Sequence, residues 1–235
     1  MPPPAGSPPS AKALTAAFQA ALAPLADVER AAPMRAYMRD QFDFLGIPTP
    51  ARRHATAAWI KQKLPASTLI ATAQSLWRLP QREYQYAAAD LLARQWATLS
   101  LDDIPTLLAL VQQKSWWDTV DPLAGVVGDI LRAHLPDGND PQVLMDAALN
   151  HDNLWVRRVA MLHQLGWRSD TDTARLWRYA LQLAPEADFF IRKAIGWALR
   201  DYARHAPDAV RAFLNQHRPA LSALTLREAG KHLGE

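Results

Sequence analysis

Three short segments decide how this chain folds: Val156-Arg157-Arg158, Ile191-Arg192-Lys193 and Leu226-Arg227-Glu228. Each carries an aliphatic residue, an arginine and a polar residue, and Arg157, Arg192 and Arg227 are separated by 35 residues each time. Helices starting near 82 and 117 continue the rhythm backwards. A period of this length, with two helices per unit, indicates stacked helical hairpins. One hairpin cannot bury its apolar face alone, so the expected architecture is an all-α solenoid: a single curved domain over residues 11–235 with one concave face. The recurring arginines either line that face in a row or cap carbonyls and bridge neighbouring repeats. The pattern leaves both roles open.

The rest of the chain agrees. Period-two alternation is missing and helix formers dominate. Prolines at 33, 65, 80, 105, 207 and 219 punctuate segments of about one helix each. Thr49-Pro50 and Asp140-Pro141 read as N-caps followed by proline at the first helical position. Helices are expected near 12–24, 33–44, 50–63, 67–78, 81–97, 103–113, 116–134, 141–150, 154–166, 172–183, 187–205, 208–217 and 222–233. The opening segment, residues 1–10, holds five prolines and reads as a disordered leader.

Composition narrows the function class. With 49% hydrophobic and 21% charged residues the 235-residue chain reads as an ordinary soluble globular protein, expected in the cytoplasm. It has no cysteine, which excludes disulfides and thiolate metal sites. No apolar run approaches the ~20 residues of a membrane span. The net charge of +3 is compatible with a nucleic-acid partner and does not establish one. The histidines are scattered without ligand spacing, and Gly-rich phosphate loops and GxSxG are missing, so neither metal nor cofactor is expected.

The unusual chemistry lies in Lys114-Ser115-Trp116-Trp117-Asp118-Thr119-Val120-Asp121. Ser115 with Asp118 resembles a capping box, and a helix starting there puts Trp117 and Asp121 on one face. Gly125 and Gly128 extend that face almost without side chains. A carboxylate beside an indole is a poor core element and a good receptor for a flat cation. The alternative is that Asp121 is an N-cap before Pro122, with both tryptophans in the core. In Trp155-Val156-Arg157-Arg158 and Trp197-Ala198-Leu199-Arg200 a tryptophan again stands three residues before an arginine.

These segments, with Met38-Arg39-Asp40-Gln41-Phe42, Phe44-Leu45-Gly46-Ile47 and Phe189-Phe190-Ile191-Arg192-Lys193, resemble in type and order the AlkD-like family of DNA alkylation repair glycosylases, which are HEAT-like repeat proteins. The resemblance runs from about Ala31 to Lys231. It implies hydrolysis of the N-glycosidic bond of cationic alkylpurines, such as 3-methyladenine and 7-methylguanine, in double-stranded DNA by a monomer, without full extrusion of the base. It further implies a catalytic carboxylate at Asp121, flanking tryptophans at Trp117 and Trp197, and a DNA-contacting arginine at Arg158. Arg39, Arg52, Arg53, Lys114, Arg192, Lys193 and Arg200 form the pool of expected phosphate contacts. The alternatives are a non-catalytic repeat protein that binds damaged or distorted DNA, favoured if Pro122 misplaces Asp121, and a protein-interaction solenoid.

Overall fold

The structure is a computed structural model that describes residues 9–135 and 140–233. Among these residues every extended regular element is helical, and one isolated bridge pairs Asp43 with Gln81. The proline-rich segment lies outside the described residues up to position 8; Ser10 already caps the first helix, accepting a bond from the Ala13 amide. The chain divides into two units, residues 1–106 and 107–235.

The first unit contains α1 (Ala11–Leu22), α2 (Val28–Tyr37), α3 (Thr49–Ile60), α4 (Ala66–Arg78) and α5 (Arg82–Gln95). Its core gathers Leu14, Phe18 and Leu22 of α1 with Leu69, Ala73 and Leu76 of α4 and Leu91 of α5. Here the sequence reading needs its largest correction. Pro33 does not open the second helix but lies inside it, because Asp27 caps the start by accepting from the Arg30 amide. The helix therefore ends early, and Arg39 and Asp40 turn the chain with φ of 54° and 55°. Buried Glu83 then holds the returning strap, accepting the amides of Leu45, Gly46 and Ile47 at 2.8–3.0 Å. Gly46 has φ +87°, and a β-carbon there would stand 2.0 Å from the Asp27 carbonyl oxygen, so only glycine fits.

Helix α6 (Ile104–Val111) spans the division. The second unit follows with α7 (Trp117–Ala133), α8 (Val143–Leu149), α9 (Leu154–Leu162), α10 (Thr173–Leu183), α11 (Phe189–Ala203), α12 (Pro207–His217) and α13 (Ala223–Ala229). Alternate helices are neighbours: α7 packs on α9, α9 on α11 and α11 on α13, while α8, α10 and α12 flank this row. The aliphatic residues of the first two repeated triads, Val156 and Ile191, are fully buried. Asp140 and Pro141 sit in a turn, with α8 starting two residues beyond the expected position, and Asp140 instead accepts from the Gln142 amide.

The repeat shows directly in the bonds between units of the stack. Arg132 pairs with Asp170, Asp201 accepts the Gly166 amide, Arg175 pairs with Asp140, and Lys193 pairs with Glu228; their separations are 35 to 38 residues. In the first unit Arg52 and Arg53 both close on Asp90 at the same interval. Residues at equal phase in successive hairpins are therefore spatial neighbours.

His163 ends α9 fully buried. Its Nδ1 faces the Ala160 carbonyl at 2.6 Å and its Nε2 faces the Gln142 side chain at 2.9 Å. Gly128 admits the His163 carbonyl, which would stand 1.9 Å from an added β-carbon. Burial, with the Arg175 charge adding to it, holds the imidazole down to about 4 from 6.5. Both neighbours are oxygens, the Ala160 carbonyl and Gln142 Oε1, so a neutral ring donates to one of them and leaves the other contact without a proton. The unfolded chain takes up this proton first as pH falls. Stability from His163 should therefore be complete above pH 6.5 and decline toward pH 4, by about 3 kcal/mol in total. Urea midpoints measured across that window should fall steeply for the wild type, and less steeply for His163→Gln.

Candidate functional site

The candidate site lies wholly in the second unit. Lys114 reverses the chain with φ of 50°, and Trp116 precedes α7 in an extended conformation. The capping box expected from Ser115 and Asp118 does not form, because the Ser115 hydroxyl donates back to the Val111 carbonyl at 2.7 Å. Helix α7 then runs from Trp117 through Pro122 to Ala133. Asp121 is therefore helical rather than an N-cap. It shares a face with Trp117, four residues before it. Pro122 removes one backbone donor, and its ring occupies the exposed side of the helix.

The starts of three helices meet in an aromatic cluster. Phe190 lies 4.9 Å from both Trp116 and Trp155, centroid to centroid, and those two rings are 5.8 Å apart. Asn153 caps α9 by accepting from the Trp155 amide, and Asp188 caps α11 by accepting from Phe190 and Ile191. The caps and rings together set the entry of α9 and α11 beside α7.

Within this frame Arg158 of α9 reaches Asp121 of α7. Its Nε and Nη2 donate to the two carboxylate oxygens at 2.7 and 2.8 Å, and Nη1 donates to the Phe190 carbonyl. The arginine side chain is 1% exposed, whereas Asp121 keeps 19% of its surface open. Arg158 was expected at a phosphate; its guanidinium is instead turned inward, with every nitrogen engaged. Burial raises the Asp121 carboxyl above its ordinary value, the Arg158 bond and charge oppose that rise, and the nearby Asp118 charge adds to it. The result is a partly desolvated carboxylate with an open side.

On its far side Arg158 lies over Trp197 of α11, 5.2 Å from the ring centroid. Trp197 in turn donates from Nε1 to Glu228 of α13 at 3.2 Å. A line of four residues, Asp121, Arg158, Trp197 and Glu228, thus takes one member from each of four successive packed helices. Glu228 was missed in reading the sequence. Its signal was the 35-residue period itself, which puts the opposite charges of Lys193 and Glu228 at equal phase.

The other expected residues are distributed as follows. Lys193 and Arg200 both pair with Glu228, at 2.8 and 3.1 Å. Arg192 donates to the Glu186 carbonyl, and Arg157 grips the Glu186 carboxylate, so these two recurring arginines tie elements together. Trp117 and Lys114 are partly exposed at the start of α7 and in the turn before it. Arg39 and Arg52 belong to the first unit, where Arg39 is exposed and Arg52 is buried against Asp90. Among the described residues no group of three His, Asp or Glu side chains is placed to hold a metal ion. No helix there is long and apolar enough to cross a membrane.

Comparison with known proteins shows the family and the fold. The model of the family described as DNA alkylation repair enzyme matches residues 18–233. A solved structure described as a predicted DNA alkylation repair enzyme from Enterococcus faecalis is 33% identical, with a TM-score of 0.83 over 89% of this chain and 97% of that one. AlkD2 from Streptococcus mutans is 18% identical, with a TM-score of 0.61 over 86% of this chain and 100% of that one, a likeness of fold alone. No curated protein matches the chain. The all-α solenoid of HEAT-like repeats read from the sequence accords with both structures.

Removing Arg158 leaves Asp121 half-desolvated and unpaired, which costs about 3 kcal/mol or more. By contrast the Arg132–Asp170 pair is 42% and 45% exposed, so water screens it and its loss should cost far less. Denaturant unfolding of Arg158→Ala and Arg132→Ala should separate by that difference. Equal losses would mean that the buried pair carries no special weight.

Proposed function

The chain belongs to the DNA alkylation repair enzyme family, and from that premise we propose that it is a DNA glycosylase that hydrolyses the N-glycosidic bond of cationic alkylated purines in duplex DNA. The observation that carries this reading is the Asp121 carboxylate, held by both oxygens on a buried arginine with one side still open. It lies on the Trp117 face of α7, and its arginine rests against Trp197.

The chemistry follows from where charge moves. An alkylpurine such as 3-methyladenine or 7-methylguanine already bears a positive charge. When the bond to C1′ breaks, the electron pair goes to the base, which leaves neutral and needs no proton from the protein. Positive charge appears on the deoxyribose as an oxocarbenium ion. Asp121 stabilises that ion, and its open side can take the hydrogen bond of the attacking water. The water oxygen bonds to C1′, and its proton passes through the carboxylate to solvent. The burial that lifts the proton affinity of Asp121 makes it a better acceptor for this proton. Arg158 fixes the direction of the carboxylate and keeps it ionised before the substrate arrives.

Trp117 and Trp197 supply flat, electron-rich walls suited to the sugar and the developing cation. The uninterrupted course of α7 through Pro122 supports catalysis over the non-catalytic DNA-binding alternative, which a displaced Asp121 would have favoured. Lys114, Arg39, Arg52, Arg53, Arg192, Lys193 and Arg200 remain the pool from which phosphate contacts are drawn, with those already paired in the protein having partners to give up.

Release of 7-methylguanine from a duplex should be clearly above the spontaneous rate for the wild type. Asp121→Asn should lower it by roughly 10²- to 10³-fold while duplex binding persists. A folded wild type that binds the duplex in a salt-dependent way and frees no base would instead be a lesion-binding relative.

A further inference from the structure

Glu228 is 3% exposed at its side chain and gathers four donors. Trp197 Nε1 lies 3.2 Å from Oε2, Lys193 Nζ 2.8 Å from Oε1, Arg200 Nη1 3.1 Å from Oε2, and Lys231 Nζ 2.9–3.0 Å from both oxygens. Three cations converge on one carboxylate; burial raises its acid, but the bonds and charges of Lys193 and Lys231 outweigh that and hold it down to about 2, so the charge persists throughout the neutral range.

A second observation shows that the sequence makes room for this carboxylate. Gly196, directly before Trp197, faces α13 so closely that a β-carbon there would stand 2.5 Å from the Glu228 β-carbon and 3.1 Å from the Thr225 carbonyl oxygen. The Thr225 hydroxyl closes the same contact by donating to the Arg192 carbonyl. Glycine within a helix costs about 1 kcal/mol relative to alanine. Here it lets the last repeat bring an acid up to the indole edge.

The indole itself carries cations on its faces. Arg158, Lys193 and Arg200 lie 5.2, 5.7 and 5.9 Å from its centroid. Each is attracted to the face of the ring, and a bond at the ring's edge sets its orientation among them. The Nε1 bond to Glu228 is that tie. It also occupies Lys193 and Arg200, both of which the sequence reading assigned to phosphate.

We infer that Glu228 is a positioning residue of the alkylbase-release site, acting through Trp197: it fixes the indole edge and so the wall that faces the Arg158–Asp121 pair. The inference rests on the glycosylase reading for its kinetic consequence, and on geometry alone for its effect on the ring.

The test uses the full chain and two variants. Glu228→Gln keeps an oxygen that can accept the indole N–H but gives up the charge; Glu228→Ala gives up both. The Trp197 indole N–H is followed by ¹⁵N–¹H NMR, assigned by its loss in Trp197→Phe. In Glu228→Ala it should shift and exchange rapidly with water; in Glu228→Gln it should stay protected. Release of 7-methylguanine should show kcat lowered between about 10- and 100-fold in Glu228→Ala and largely restored in Glu228→Gln. Duplex affinity should be unchanged or tighter in both, because freed lysine and arginine side chains become available to phosphate.

An indole signal unmoved in folded Glu228→Ala overturns the inference, as does a wild-type kcat in that variant. If Glu228→Ala does not fold, Glu228→Gln decides alone: an exposed, exchanging indole or a kcat lowered 100-fold overturns it. A wild type that releases no base defeats the glycosylase reading instead, and the NMR comparison still decides whether Glu228 sets the ring.

Discussion

A guanidinium taken out of water is costly at every nitrogen left unanswered, and Arg158 is answered by two helices at once. Asp121 of α7 takes two of its donors and the Phe190 carbonyl of α11 takes the third. The arginine therefore fixes the spacing of its neighbours as much as they fix it. Arg52 offers a contrast in the first unit. It too is buried and paired, with Asp90, yet its Nε has no hydrogen-bond partner. A buried ion pair is a poor way to gain stability, since apolar residues of the same volume often do as well. What it does supply is direction. Both oxygens of Asp121 are held, so the carboxylate presents one edge to its partner and leaves the other open.

The helical phasing was legible because apolar periodicity and proline punctuation are local signals. Val156 and Ile191 stand at one phase and are both buried, as the 35-residue period requires. The second helix was misread because proline usually marks a helix start, whereas Pro33 lies in the helix interior and forgoes one backbone bond there. Asp27, a stronger start signal, lay upstream of the expected boundary. The strap held by Glu83 could not be read at all, since nothing near positions 45–47 announces a carboxylate almost forty residues away. At the site, Asp121 stood out as costly to bury unpaired, while the roles of Trp117 and Trp197 came from the family resemblance. The inward turn of Arg158 did not, because a sequence shows a charge without showing which way it faces.

Glu228 marks the boundary between these cases. Its own neighbourhood, Leu226-Arg227-Glu228, was used only to establish the period. The same period also placed residues 158, 193 and 228 in one column, two cations and then an acid. A column read for charge as well as for phase contains the Lys193–Glu228 pair before any coordinates are known. In repeat proteins the charge sequence along a column is thus a contact prediction, whereas in a fold without a period it would be noise.

The same columns give the second unit an uneven field. Along α7 the accessible side carries Asp118, Asp121 and, past the bare Gly125, Asp129, whose carboxyl is raised by burial against the pull of Arg132. Along α11 it carries Lys193 and Arg200, with Lys231 in the turn after α13 beside them, and Glu228 balances only one of the three charges. Acid on one helix and surplus base two helices away, with indoles on both, suit a substrate that is itself divided. On the proposed reading a cationic base and its sugar belong on the acidic side, and the anionic backbone on the basic side. A surface uniformly basic would hold DNA more tightly and would repel the lesion at the point where its charge is to be stabilised. On the proposed reading, the modest net charge of the chain is a consequence of serving both ends of that substrate.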